Sequence, residues 1–124
     1  MLIPMVRVIL YVKNIPKVAE FYQRHFGLTP LPSDAKGWLE MTTGASGGCT
    51  IALHQASTAQ KSGAAIKLVF GVEDVAKFKS EREAEGLKFG PIHTFANFEF
   101  ANAKDPAGNS VQISSRGLRG NGRG

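Results

Sequence analysis

Arg7-Val8-Ile9-Leu10-Tyr11-Val12-Lys13-Asn14 and Lys67-Leu68-Val69-Phe70-Gly71-Val72-Glu73-Asp74 are one passage written twice, sixty positions apart. Each copy reads as a strand that ends on a helix-capping residue. The same offset relates Gly48-Cys49-Thr50-Ile51-Ala52-Leu53 to Gly108-Asn109-Ser110-Val111-Gln112-Ile113, and Trp38 to Phe98. The match is loose residue by residue but consistent in pattern. Two copies of one supersecondary unit are expected, and folds built this way tend to place a site where the copies meet.

Outward from these strands the signals continue. Residues 5–12 put Val6, Val8, Leu10 and Val12 on one face and Arg7, Ile9 and Tyr11 on the other. Asn14 caps a helix, Pro16 suits its first turn, and Ile15, Val18, Ala19, Tyr22 and Phe26 form its apolar stripe until Gly27 stops it. Strands are expected over 38–42 and 49–55. In the second copy Ile66, Leu68, Phe70 and Val72 form the apolar face, and Asp74 caps a helix from about Val75 to Glu85 that Gly86 ends. Residues 94–103 and 109–114 supply strands around the turn Asp105-Pro106-Ala107-Gly108. Each half is a strand and a helix followed by two or three strands.

The chain has 124 residues, 43% of them hydrophobic, which suits one globular domain. No apolar run approaches the ~20 residues that span a bilayer, and the N-terminus lacks a signal-peptide pattern. A single cysteine, Cys49, excludes an intrachain disulfide, fits a reducing cytoplasm, and reads as a small buried hydrophobe. The net charge of +5 is uneven: residues 116–124 hold three arginines and no acid. That Gly/Arg tail is expected to be disordered and solvated, not a nucleic-acid arm. The domain is therefore placed at 1–115, with module one at about 5–60 and module two at about 64–115.

Val12-Lys13-Asn14-Ile15, Phe26-Gly27-Leu28, Val72-Glu73-Asp74-Val75, Gly86-Leu87-Lys88-Phe89-Gly90 and Asp105-Pro106-Ala107-Gly108-Asn109 together resemble the vicinal oxygen chelate superfamily. That group includes glyoxalase I, extradiol dioxygenases, methylmalonyl-CoA epimerase and the bleomycin and fosfomycin resistance proteins. The resemblance implies an α+β fold: two pseudo-symmetric βαβββ modules forming a curled, mostly antiparallel eight-stranded sheet with a concave cleft. It also implies a homodimer. It is nearly silent on reaction, since the superfamily hosts several unrelated chemistries.

By the same resemblance, the family's four metal-ligand positions fall on Arg7, Ala52, Lys67 and Gln112. A divalent ion needs lone-pair donors at about 2.0–2.6 Å; two cations and an alanine do not supply them. No metal or other cofactor is expected. The alternative is a displaced site using His54 with His93, Glu40 or Glu99. Inward-facing Arg7 and Lys67 would have to pair with carboxylates such as Glu40 or Glu99, or meet an anionic ligand. Tyr11, Trp38 and Phe98, with Phe100 nearby, would present aromatic faces. No nucleophile–base arrangement stands out. The leading expectation is thus a metal-independent small-molecule-binding protein, with Arg7, Tyr11, Trp38, Ala52, His54, Lys67, Phe98 and Gln112 around a partly anionic, partly aromatic or apolar ligand. The alternatives are a metal-dependent lyase, isomerase or dioxygenase, and an interaction module without a small ligand.

Overall fold

A computed structural model describes residues 2, 7–44, 48–56 and 66–116. The 116–124 tail beyond Arg116 lies outside them. The chain divides into two units, Met1–Lys61 and Ser62–Gly124.

The first unit runs β1 (Arg7–Val12), α1 (Ile15–Phe26), β2 (Thr29–Pro30), β3 (Trp38–Thr42) and β4 (Thr50–Gln55). The strands form one sheet in the order β1-β4-β3-β2, with β1 and β4 parallel and the other pairs antiparallel. Helix α1 starts where Asn14 accepts a hydrogen bond from the Lys17 N–H, with Pro16 in the first turn. It stops at Gly27, whose φ of 70° is left-handed. The helix packs against β3 and β4. Leu10, Val12, Met41, Ile51 and Leu53 are buried, as are Val18, Ala19, Phe21 and Tyr22 of α1. Phe21 thus joins the expected stripe, while Ile15 and Phe26 at the ends of α1 are only half-buried. The other sheet face carries Arg7, Ile9, Tyr11, Trp38, Glu40, Thr50, Ala52 and His54, by strand alternation.

The second unit repeats the order: β5 (Lys67–Gly71), α2 (Val75–Ala84), β6 (His93–Phe95), β7 (Phe98–Lys104) and β8 (Ser110–Ser114). Its sheet runs β5-β8-β7-β6, again with one parallel pair, β5 with β8. The fold is α+β: two βαβββ modules, whose eight strands form two four-stranded, mostly antiparallel sheets. Asp74 caps α2 by accepting from the Lys77 N–H. This helix buries only Val75; Leu87 and Phe89, just beyond it, add buried apolar surface beside Ala101, Val111 and Ile113.

Two elements differ from the expectation. Strand β2 has two residues, one of them Pro30, too short to give an alternation signal. The stretch read as one strand over 94–103 is a hairpin, broken at Ala96 and Asn97. Ala96 sits at φ 55°, the one non-glycine among the described residues with positive φ. Relieving that strain opposes the larger chain entropy glycine brings to the unfolded state. Ala96→Gly is therefore expected to raise stability by no more than about 1 kcal/mol, read from urea midpoints.

The two modules also differ in register, and this bears on the site. Segment 43–49 joins β3 to β4 with seven residues; segment 105–109 joins β7 to β8 with five. In module one Trp38 faces His54 and Glu40 faces Ala52. In module two Phe100 faces Ser114, Asn102 faces Gln112 and Lys104 faces Ser110. The structural mate of Trp38 is therefore Phe100, not Phe98, and that of Glu40 is Asn102. A slip of two keeps every side chain on its own face.

Candidate functional site

On the face of module one opposite α1, the charged groups satisfy one another. Arg7 Nε donates to Glu40 Oε2 at 2.8 Å, and the Thr50 hydroxyl donates to the same oxygen at 2.6 Å. Of the outcomes open for Arg7, pairing with Glu40 is the one realised. The Thr50 hydroxyl first, and then Arg7, hold the Glu40 carboxyl below the usual carboxylate range. A native pKa below the unfolded one gives a contribution that is complete above the ordinary carboxylate pKa. It is lost as pH falls through the lowered value. Glu40→Gln is thus expected to be slightly less stable than the native chain at neutral pH and to converge with it in acid. The gap is small because the Arg7 side chain is 41% exposed. Urea midpoints measured from neutral to strongly acidic pH check this.

Aromatic rings cluster at one end of that face. Tyr11 lies 5.1 Å from His54 between ring centroids, and Trp38 meets His54 edge-on at 5.9 Å. His54 Nδ1 is 3.0 Å from the Gln55 carbonyl oxygen. Ala52 is fully buried between Ile9 and Glu40 in the register. Five expected site residues, Arg7, Tyr11, Trp38, Ala52 and His54, thus share one face.

Module two keeps the same positions and empties them. Its mates of Tyr11 and His54 are Gly71 and Ser114, small side chains where module one has two rings. A cavity of about 480 Å³ lies there, lined by Val69, Gly71, Phe98, Phe100, Gln112, Ser114 and Arg116. Phe98 and Phe100 are 6.1 Å apart, and His93 stacks on Phe100 at 5.1 Å. The Arg116 guanidinium lies 5.4 Å from the centre of the Phe98 ring, held by its backbone N–H donating to Ser114 Oγ at 3.1 Å. Among the described residues no carboxylate pairs with Arg116. Of the expected residues, Phe98 and Gln112 line this cavity; Lys67 lies on the same face, beyond its lining.

Arg116, Gly71 and Ser114 escape a sequence reading. Arg116 reads as the first residue of a tail, and only the slipped register sets it beside Phe98. The small residues carry no chemical signal; comparing them with Tyr11 and His54 is the signal that could have found the cavity. Elsewhere, Cys49 is half-buried instead of buried, since β4 begins only at Thr50. Glu99 lies on the opposite face of β7 from Phe98 and Phe100.

The model of the Glyoxalase/Bleomycin resistance protein/Dioxygenase superfamily matches residues 5–113. The chain belongs to this superfamily. Three solved structures illustrate the likeness, and below 25% identity each shows the fold alone. A fosfomycin resistance protein from Listeria monocytogenes has 16% identity and a TM-score of 0.78, with 99% of both chains covered. An antibiotic-binding protein from a Streptomyces species has 18% identity and a TM-score of 0.75, covering 91% of this chain and 96% of that one. Lactoylglutathione lyase from Agrobacterium tumefaciens has 21% identity and a TM-score of 0.72, covering 94% and 96%. No curated protein sequence matches the chain.

Many superfamily members hold a divalent metal, and Arg7, Ala52, Lys67 and Gln112, where the resemblance puts its ligands, do not fit one. Arg7 is a cation already bound to Glu40. Ala52 offers no donor atom. Lys67 donates its ammonium to Asn102 Oδ1 at 3.2 Å, and Gln112 donates its amide to the same oxygen at 2.9 Å. Among the described residues no three His, Cys, Asp or Glu side chains group closely enough to hold an ion. No described helix is long and apolar enough to cross a membrane.

Proposed function

We propose that this superfamily member binds a small molecule bearing an acid group and an aromatic or apolar part, without a metal, in the cavity of module two. One observation carries the reading: the cavity opens where Gly71 and Ser114 replace the Tyr11 and His54 of the other copy, and it is walled by Phe98, Phe100 and a guanidinium that no carboxylate among the described residues pairs with. Rings offer faces to planar groups, and an unneutralised arginine favours carboxylate or phosphate. The antibiotic-binding and resistance proteins among the structural neighbours are in keeping with a binding role. The same reading includes a homodimer in the cytoplasm. Light scattering should give twice 13.3 kDa; a monomeric mass would remove the dimer.

The test is a thermal-shift screen of carboxylated and phosphorylated aromatic compounds against matched amines. Acids are expected to stabilise the protein, and Arg116→Gln to weaken them about tenfold. Hits confined to amines would overturn the reading. So would stoichiometric nickel, zinc, iron or manganese in protein purified without chelator, which would favour a metal-dependent enzyme. Ser114→His, restoring the bulk present in module one, is expected to abolish acid binding while the melting transition stays cooperative.

A further inference from the structure

We propose that the same face of module two carries a phosphate subsite, built from Lys67, Ser110 and Lys104, for a phosphate-monoester group of a small molecule. It deepens the reading above, which supplies the ring-binding end, and it stands on different residues.

In the sheet register Lys67 faces Ser110 across β5 and β8, and Lys104 faces Ser110 across β8 and β7. The three side chains form one row on the face that also carries Asn102 and Gln112. Two lysine positions thus flank one buried serine, 8% exposed, on strands about 10 Å apart. Both lysines are exposed, and an anion seated over Ser110 meets both charges at once. No described carboxylate pairs with either lysine.

The hydrogen-bond balance points the same way. Lys104 Nζ donates to Ser110 Oγ at 2.8 Å, so that hydroxyl keeps its proton to donate elsewhere. Asn102 Oδ1 already accepts from both Lys67 Nζ and Gln112 Nε2. Each ammonium retains two N–H donors, and the Asn102 amide nitrogen adds more. The row therefore offers mainly donors and positive charge. A dianionic phosphate monoester, which only accepts, complements it.

Module one provides the contrast. Its equivalent of Lys67 is Arg7, bound to the carboxylate of Glu40. In module two the matching position holds the neutral amide Asn102, and the position of Thr42 holds Lys104. On this face module one pairs its cation with an acid, whereas module two has an amide in place of that acid and a second base. From Ser110 to Ser114 the strand rises about 13 Å. The ligand is thus elongated, with its phosphate at one end and its ring against Phe98 and Phe100 at the other.

Calorimetric titration of the full chain with inorganic phosphate, at constant ionic strength and against chloride, tests the subsite. Saturable binding is expected, weakened about tenfold by Lys67→Gln or Lys104→Gln alone and further in the double variant. Lys17→Gln with Lys77→Gln, two exposed lysines elsewhere, removes the same charge and should leave phosphate affinity within about twofold. Equal weakening by both pairs, or no saturable binding, overturns the subsite. Phenylacetate separates the two ideas. Phenylacetate binding without phosphate binding sinks the subsite and leaves the cavity reading standing; phosphate binding without any aromatic acid does the reverse. A single-stranded oligonucleotide that displaces phosphate through the same lysines, at lower phosphate-group concentration, would overturn the small-molecule source.

Discussion

Tyr22→Ala is expected to cost about 3–5 kcal/mol of stability, the largest loss of any single truncation in module one. Tyr22 is fully buried on the inner face of α1. Its ring meets Phe21 edge-on at 5.0 Å and Phe26 at 6.2 Å. Removing it deletes the packing and leaves a void that neighbours fixed on a helix and a sheet cannot fill. For a chain whose total stability is of order 5–15 kcal/mol, the loss brings unfolding close to ordinary temperatures. Roughly 3–5 °C of Tm per kcal/mol gives a drop above about 10 °C in a calorimetric scan. Tyr22→Phe keeps the ring and isolates the hydroxyl's share. A Tyr22→Ala protein melting within a few degrees of the native one would mean that α1 does not anchor module one.

Asp105→Ala is expected to cost about 2–4 kcal/mol, for a different reason. Asp105 is 4% exposed, and its carboxylate organises the turn between β7 and β8. One oxygen accepts from the backbone N–H groups of Ala107 at 2.9 Å and Asn109 at 2.8 Å; the other accepts from Asn109 Nδ2 at 3.0 Å. Alanine leaves these donors without their acceptor, the costly way to lose a hydrogen bond. Asp105→Asn retains one acceptor oxygen but sets an amide N–H against Asn109 Nδ2, so an intermediate loss is expected. Because β8 carries Ser110, Gln112 and Ser114, both variants should also weaken acid binding. Denaturant midpoints beside a thermal-shift titration measure the two effects together. Normal stability in Asp105→Ala would show that the turn closes without its carboxylate.

The fold was legible because its signals are local and periodic. Alternation in β1 and β5, the caps Asn14 and Asp74, the stripe on α1 and the Asp-Pro turn each speak through neighbours a few residues away. The site was legible only in part, because its decisive quantities are differences between strands far apart in sequence. Arg7 and Glu40 are 33 positions apart, and only the register across β4 brings them to 2.8 Å. The sixty-residue offset pairs Trp38 with Phe98, yet a shorter turn slides β7 so that Phe100 takes that place. Helix α2, with one buried residue, shows the converse: its cap was readable while its weak apolar stripe gave little warning of how Leu87 and Phe89 contribute to the core.

The unequal lengths of segments 43–49 and 105–109 have a consequence for how such a repeat can diverge. A pleated chain has parity: an even change of length hands each side chain a new neighbour but leaves inside and outside intact, whereas an odd change turns the strand over. Shortening 43–49 by two should leave module one folded and carry Glu40 away from Arg7, while shortening it by one should bury Glu40 and expel Met41. Duplicated halves can therefore trade partners in steps of two without passing through an unfolded ancestor.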